Sequence, residues 1–357
     1  MSMPGVASLA GVATRMLLRR DDWDDAGEQE ENTNCVKAVP GPNGHVPIDA
    51  CNSYYNYDPQ FAPAVAVAIL FGIFTLAHLI LGIAYRKKFS WVVIMGATWE
   101  TVSFALHALG SKDQQNIAYA SSAQILFLLA PLWINAFVYM TFTRAAWYYY
   151  YPPEAQRRLL GIPITALTKI FVWADVLAFI IQGVGGSMAS PGSSGDTVQS
   201  TSSLPLPITK GLRVYLVGMG IQQFFIVVFC LFMIRFHLRQ RQGYGYADKS
   251  NWRPLIYALY ATLTCITIRI IYRIAEFAGG ITPSNPIPFH EEYSYALDVF
   301  PMMLALLILA IWHPGRFLTG RDSEIPKKLS LRSTLASCNG QGGDYAKPRG
   351  WVMTYVA

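Results

Sequence analysis

Four formal charges lie in the cores of seven long apolar stretches between residues 63 and 313, namely Glu100, Asp175, Arg269 and Asp298. An apolar stretch of about twenty residues spans a hydrocarbon layer of roughly 30 Å as a single helix. A charge within such a helix is costly unless the protein shields it, and it commonly belongs to a functional site. These four side chains are therefore the first candidates for function.

Other polar residues share helix faces with these charges. His107 follows Glu100 by two helical turns, and Gln182 follows Asp175 at the same spacing. We expect a polar cavity that opens outward, with a substrate pathway through Glu100, His107, Gln124, Asp175, Gln182 and Gln222. A charged stripe or structural pair is expected from Arg269, Arg273, Glu276, Glu292, Tyr295 and Asp298. On the seventh span, Glu291, Tyr295 and Asp298 share one helix face, with Glu292 adjacent.

Depth in the membrane predicts one specific ion pair. At about 1.5 Å per residue, Arg269 lies roughly 22 Å above the inner end of its span and Asp298 roughly 8 Å below the outer end of the next. Both positions are at the same level in a layer of about 30 Å, so a buried Arg269–Asp298 pair is expected.

The remaining charges are assigned by elimination. Glu100 and Asp175 have no evident cationic partner, and we expect them to receive the head group of a ligand. Arg273 and Glu276 are expected to meet Glu291 or Glu292 near the membrane surface. The alternative is that the polar residues only hydrogen-bond between helices, and for single residues such as Gln124, His78 and Asn135 this is the favoured interpretation.

Composition supports a membrane protein with seven helices. Hydrophobic residues make up 53% of the 357 and charged residues 14%, and the mean hydropathy is +0.29; soluble domains carry about 25% charged residues. We predict an all-α seven-transmembrane bundle over residues 61–315, a largely disordered head over 1–60 and a basic tail over 316–357. The predicted spans are 63–85, 89–110, 118–143, 170–189, 214–234, 254–275 and 293–313.

Charge in the loops predicts the orientation. Lysine and arginine cluster after the first, third and fifth spans and in the tail, which places these segments in the cytosol and the N-terminus outside. The net charge of +6 is explained by these loops, so no nucleic-acid partner is expected. Cys35 and Cys51 then lie in an oxidising compartment, where a disulfide between them is predicted, with two free thiols as the alternative.

Several ordered motifs resemble one known family. The segments IFVWADVLAFIIQGVGG (170–186), IRIIYRIAEFAGG (268–280), EEYSYALDVFPM (291–302) and WHPG (312–315) are similar to signatures of the fungal lipid-translocating exporter family. The resemblance covers about residues 54–315. It implies a seven-helix protein, in the plasma membrane or a related membrane, that moves sphingoid long-chain bases, sterol-like or toxic amphipathic molecules across or out of the bilayer and contributes to resistance.

Two other classes of protein share this topology. A seven-helix receptor or sensor of an amphipathic ligand is the main alternative. A zinc-dependent intramembrane hydrolase is disfavoured because the histidines within the spans occur singly and at different depths. We therefore expect no enzyme, no metal and no cofactor, with membrane lipids and an amphipathic small molecule as partners; the sequence does not indicate an oligomeric state.

Overall fold

The computed structural model describes residues 38–47, 50, 52–149, 158–189, 206–241, 252–280 and 285–319, and for 206–209 the backbone alone. Within these residues seven helices are long and apolar enough to cross a membrane. The chain is therefore a multi-pass membrane protein, as predicted. Cys35, Cys51 and the tail from residue 320 lie outside the described residues, and so does the predicted disulfide.

Each predicted span corresponds to one helix, and most of the helices extend beyond their spans. The first six are α1 (Phe61–Tyr85), α2 (Trp91–Lys112), α3 (Ile117–Tyr149), α4 (Ile164–Ala189), α5 (Leu206–Arg241) and α6 (Arg253–Ala278). The seventh, α7, is α-helical over Glu291–Ser294, widens to a π-helix over Tyr295–Val299 and continues as an α-helix over Phe300–Ile311. A two-stranded hairpin, Arg158–Leu159 with Ile162–Pro163, precedes α4.

The outer surface of the bundle is apolar. On α1, Ile73, Leu76, Ile80 and Ile83 are between 54% and 68% exposed, whereas His78 is fully buried. This is the reverse of a soluble helix and suits a surface that faces lipid tails. His78 Nε2 instead lies 3.1 Å from the carbonyl oxygen of Leu306 on α7, so this histidine joins two helices.

The helices pack in chain order into a ring. Each helix contacts the next, α7 returns to contact α1, and α3 also contacts α6 across the interior. The closest packing is between α4 and α5, because glycines let the two backbones meet. A Cβ added at Gly185 would lie 2.3 Å from the Tyr215 nitrogen, and one at Gly218 would lie 2.9 Å from the Gln182 nitrogen.

Two prolines disturb the helices that carry the polar groups. Pro131 lies inside α3, and Pro301 follows the π-helical turn of α7. Proline has no N–H, so the carbonyl four residues earlier loses its helical partner. In α3 that carbonyl belongs to Phe127, and it becomes available to another donor.

Candidate functional site

A cluster of buried charges joins α2, α3, α6 and α7. Arg269 Nε lies 2.5 Å from Asp298 Oδ1, which is the predicted pair, and Arg273 Nε contacts Oδ2 of the same carboxylate. Arg273 Nη1 also donates to Glu276 Oε2 at 2.9 Å. Asp298 is fully buried and the two arginines are 4% and 6% exposed, so the cluster is shielded from lipid.

Helix α3 contributes to this cluster through Phe127. Arg269 Nη2 donates at 3.0 Å to the Phe127 carbonyl, the group that Pro131 leaves without a helical partner. The Phe127 ring lies 4.5 Å from the guanidinium of Arg269 and 5.0 Å from that of Arg273. The proline thus creates an acceptor for one arginine, and the aromatic ring stabilises both by cation–π contact.

Two of the predicted assignments of charge are wrong. Glu100 does have a cationic neighbour, since its Oε1 lies 3.8 Å from Arg269 Nη1. Arg273 pairs with Glu276 and with Asp298 rather than with Glu291 or Glu292. The predictions counted turns along single helices, whereas the shared carboxylate of Asp298 draws both arginines of α6 toward α7.

A cavity of about 310 Å³ lies at the end of the bundle that carries residues 113–116, which we call the cavity end. Its lining includes the charged residues Arg273, Glu276 and Glu291 and the aromatic residues Phe104, Phe127 and Phe277. Ser121 and Gln124 on α3 line the cavity and are exposed. The cavity therefore reaches the surface beside α3.

The carboxylate of Glu291 makes polar contacts with three other residues at this cavity. Its Oε1 accepts a hydrogen bond from the Tyr295 hydroxyl at 3.0 Å and lies 3.3 Å from His107 Nε2. Its Oε2 accepts from the backbone N–H of Gln60 at 3.1 Å. Glu292, which was predicted to join the charged stripe beside Glu291, is 76% exposed and lies outside the lining of the cavity.

The segment before α1 covers the cavity, although it belongs to the head that the sequence indicated as disordered. The rings of Tyr55 and Tyr57 lie 6.1 and 6.3 Å from that of His107. Burial, with a contribution from Asp113, raises the pKa of Tyr55 to about 12. Burial, with a smaller contribution from Glu291, also raises the pKa of Tyr57.

The structure divides the predicted substrate pathway. His107 and Gln124 line the cavity, as do Arg273, Glu276 and Tyr295 from the predicted stripe. The other predicted pathway residues, Glu100, Asp175, Gln182 and Gln222, are buried outside it. The predicted site did not include Tyr55 and Tyr57, although their sequence, YNYDP before the first span, also resembles the lipid-translocating exporter family.

A second polar group lies between α3, α4 and α5. Asp175 Oδ2 accepts hydrogen bonds from Asn135 Nδ2 and from the Tyr139 hydroxyl, both at 3.0 Å. Gln182 Nε2 donates to Gln222 Oε1 at 2.9 Å. Asp175 forms no salt bridge with any described residue, so its neighbours are neutral.

Comparison with known sequences gives the family. The profile of the family described as RTA1 like protein matches residues 93–321, which include both polar groups. The chain belongs to the RTA1-like family. This RTA1-like protein is 37% identical over 313 residues to the probable lipid transporter atnI of Emericella nidulans, an alignment that covers 85% of the chain and 78% of the relative.

More distant relatives of the RTA1-like protein come from Saccharomyces cerevisiae. Protein RTA1 is 27% identical over 285 residues, covering 73% of the chain and 84% of the relative. The sphingoid long-chain base transporter RSB1 is 22% identical over 302 residues, covering 75% of each. No solved structure matches the chain.

Proposed function

We propose that this RTA1-like protein moves lipid-like amphipathic molecules with a cationic head group across or out of the membrane. The observation that supports this most strongly is the cavity, whose lining combines charged and aromatic surfaces within the bundle. A site with both surfaces suits a molecule that has a polar head and an apolar tail. The names of the relatives, a lipid transporter and a sphingoid long-chain base transporter, support the same class of substrate.

The balance of charge favours a cationic head group. In and beside the cavity wall lie the carboxylates of Glu276, Glu291 and Asp298, against the guanidiniums of Arg269 and Arg273. Glu100 adds a further carboxylate behind Arg269. The acidic surplus attracts a cation, and the low dielectric of the site strengthens that attraction. We assign the head group to Glu276 and Glu291, which line the cavity, in place of Glu100 and Asp175.

Access from the bilayer supports movement of a lipid rather than of a water-soluble molecule. Gln124 lies seven residues into α3, about 10 Å from the start of the helix. At this depth the cavity meets the outer surface of the bundle between exposed side chains of α3. A head group can enter there while its tail stays in the hydrocarbon layer.

The distribution of basic residues supports an orientation in which the cavity faces outward. Basic residues concentrate at the end of the bundle opposite the cavity, for example Lys88 after α1, Arg241 at the end of α5 and Arg253 at the start of α6. The preference of lysine and arginine for the cytosolic side supports a cavity that faces outward. In the plasma membrane, this arrangement suits removal of amphipathic cations from the cell.

Transfer between the leaflets of reconstituted vesicles tests the function. The full-length protein is reconstituted, and a fluorescent sphingoid long-chain base is followed beside its N-acylated, uncharged analogue. We expect faster transfer of the base than in protein-free vesicles and a smaller acceleration of the analogue. Transfer of the base at the protein-free rate would overturn the proposal, and saturable binding without transfer would favour a receptor.

A further inference from the structure

The carboxyl group of Asp175 is buried among neutral partners in the middle of the membrane domain. One oxygen, Oδ2, receives hydrogen bonds from Asn135 and Tyr139, whereas Oδ1 has no hydrogen-bond partner. The amide oxygen of Asn135 is likewise buried without a partner. Asp175 is 1% exposed and Asn135 fully buried. The Asp175–Asn135 pair therefore contains one hydrogen bond, from Asn135 Nδ2 to Asp175 Oδ2, and two buried oxygens without a donor, Oδ1 of each residue.

A single proton on the Asp175 carboxyl group would supply the donor that both oxygens lack. A carboxylic acid and a primary amide have complementary edges, because the amide N–H donates to one acid oxygen and the acid O–H donates to the amide oxygen. The first of these bonds is present, and the atoms that the second requires are the two that lack partners. An ionised carboxylate buried without a cation is disfavoured and becomes protonated instead.

We propose that Asp175 and Asn135 form a proton-binding site between α3 and α4, and that this site couples lipid movement to a proton gradient. The proton binds at Asp175 Oδ1 and is donated to Asn135 Oδ1. The coupling rests on the function proposed above, whereas the proton site does not. A hard metal cation is a poorer occupant, because such ions take six or more oxygen ligands and only two oxygens here lack partners.

The groups around Asp175 are consistent with a site that gains and loses one proton. The titratable group of α3 that faces Asp175 is the Tyr139 hydroxyl. On α5 it is the Cys230 thiol, which interacts electrostatically with Tyr139. On α4 itself, the residues one turn away, at positions 171, 172, 178 and 179, are all apolar. No described positive charge pairs with the carboxylate. Binding or release of one proton at Asp175 therefore changes the net charge of this group of side chains by one.

A row of polar residues leads away from Asp175 in both directions. Thr168, Asp175 and Gln182 follow one another at seven-residue intervals on one face of α4, a row about 21 Å long. Thr168 Oγ1 donates to Thr143 on α3 at 2.8 Å, and Gln182 donates to Gln222 on α5. These groups place polar contacts with α3 and α5 about 10 Å from Asp175 on either side along the same face of α4.

Infrared spectroscopy of the full-length protein in lipid tests the site without any substrate. The wild type is compared near neutral pH with Asp175→Asn and with Asp113→Asn, a matched change at an exposed aspartate. We expect the carbonyl band of a protonated carboxyl group in the wild type and in the Asp113 variant, and its loss in the Asp175 variant. An unchanged band in all three proteins would overturn the proton site.

A second variant keeps the test decisive if Asp175→Asn fails to fold. Asn135→Leu retains the carboxyl group and removes its amide partner, so the protonated carbonyl band should shift to higher frequency. A band at the wild-type position would show that the proton is not shared with Asn135 and would overturn the site.

Transfer assays with an imposed pH gradient test the coupling. We expect transfer of the fluorescent long-chain base to change severalfold with the gradient in the wild type and to lose this dependence in Asp175→Asn. Gradient-independent transfer by the wild type would overturn the coupling while the infrared result still reports on the site. A dependence on sodium rather than on pH would overturn the proton as the coupling ion.

Discussion

Asp298 is shared by two buried arginines, which makes it the residue on which the charge cluster depends most. Its oxygens contact Arg269 and Arg273, and it is fully buried on the π-helical turn of α7. Removing one partner of a buried ion pair leaves the other charge uncompensated, at a cost of about 3 kcal/mol or more. Asp298→Asn should therefore lower the free energy of unfolding in detergent by about 3 kcal/mol.

Asp113→Asn is the control, because it changes an exposed aspartate at the end of α2. Its unfolding should match that of the wild type. Equal stability of both variants would show that the arginines have other sufficient partners, which for Arg269 include the Phe127 carbonyl at 3.0 Å and the Glu100 carboxylate at 3.8 Å.

Glu291 and Glu292 are adjacent in sequence, but only Glu291 lines the cavity. Substitution of each therefore provides a test and a matched control for the head-group site. Glu291 lines the cavity with its side chain 7% exposed, whereas the side chain of Glu292 is 76% exposed. Loss of one charged hydrogen bond costs about 1.5 kcal/mol, or about tenfold in affinity. Glu291→Gln should raise the half-saturating concentration of a cationic lipid about tenfold, and Glu292→Gln should leave it unchanged.

The comparison is made in the vesicle transfer assay, with the uncharged analogue as the second substrate. Equal effects of the two substitutions would argue against Glu291 as a head-group contact. An equal loss for the charged and the uncharged substrate would show that Glu291 acts on the shape of the cavity rather than on charge.

At the scale of elements, the contact between α4 and α5 depends on glycine. A Cβ at Gly185 would lie 2.3 Å from the Tyr215 nitrogen and 2.8 Å from the Gly211 oxygen, and these backbone atoms have no rotamer to change. Gly183 on the same helix has nothing within 4 Å of its added Cβ. Gly185→Ala should lower the free energy of unfolding by about 2 kcal/mol through overpacking, and Gly183→Ala should not lower it. A similar melting temperature for both variants would contradict this packing.

The head segment over residues 52–60 should respond to alkaline pH. Tyr55 Oη is buried without a hydrogen-bond partner, and a Cβ on Gly110 would lie 2.2 Å from it. The pKa of Tyr55 is raised by burial from 10.0 to about 12, so between these values the unfolded chain loses a proton that the folded chain retains. Stability should therefore fall as the pH rises from 10 to about 12.

Tyr55→Phe tests this pH dependence. The variant lacks the ionisable group and loses no hydrogen bond, so it should fold normally and show a smaller decrease in melting temperature over the same pH range. An equal decrease in wild type and variant would assign the alkaline instability to other groups.

The positions of the helices were predictable because the bilayer constrains them. Backbone polar groups in hydrocarbon must bond within the helix, so hydropathy alone locates the spans. The rise per residue also placed Arg269 and Asp298 at one depth, and the structure brings them together. Gly185, three residues after Gln182, allows the close approach of α5 while α4 continues to Ala189.

The rotation of each helix was not predictable in the same way. Glu291 and Tyr295 share a face, as their four-residue spacing predicts, whereas Asp298 on the π-helical turn contacts the two arginines of α6. Spacing rules for a regular α-helix do not include such a turn. The contact of Arg269 with the Phe127 carbonyl depends on a proline in another helix, so no pattern within α6 indicates it.

At the scale of the whole molecule, α3 connects the two polar groups. Its residue Phe127 contacts both arginines of the charge cluster, and its residues Asn135 and Tyr139 bind Asp175. Pro131 lies between these positions, where the regular hydrogen bonding of α3 is interrupted. A change in the charge of Asp175 therefore acts on the same helix that lines the cavity.

The orientation of the whole bundle can be tested at the two ends of α2. Lys88 precedes this helix at the basic end and Asp113 follows it at the cavity end, and both are exposed. Since lysine and arginine favour the cytosolic side, Asp113 should face outward. We expect Asp113→Cys to react with a membrane-impermeant maleimide on intact cells, and Lys88→Cys to react only after permeabilisation, each in a background with the five native cysteines replaced by serine. The reverse pattern would place the cavity on the cytosolic side and would make import, rather than removal, the direction that the proposed site serves.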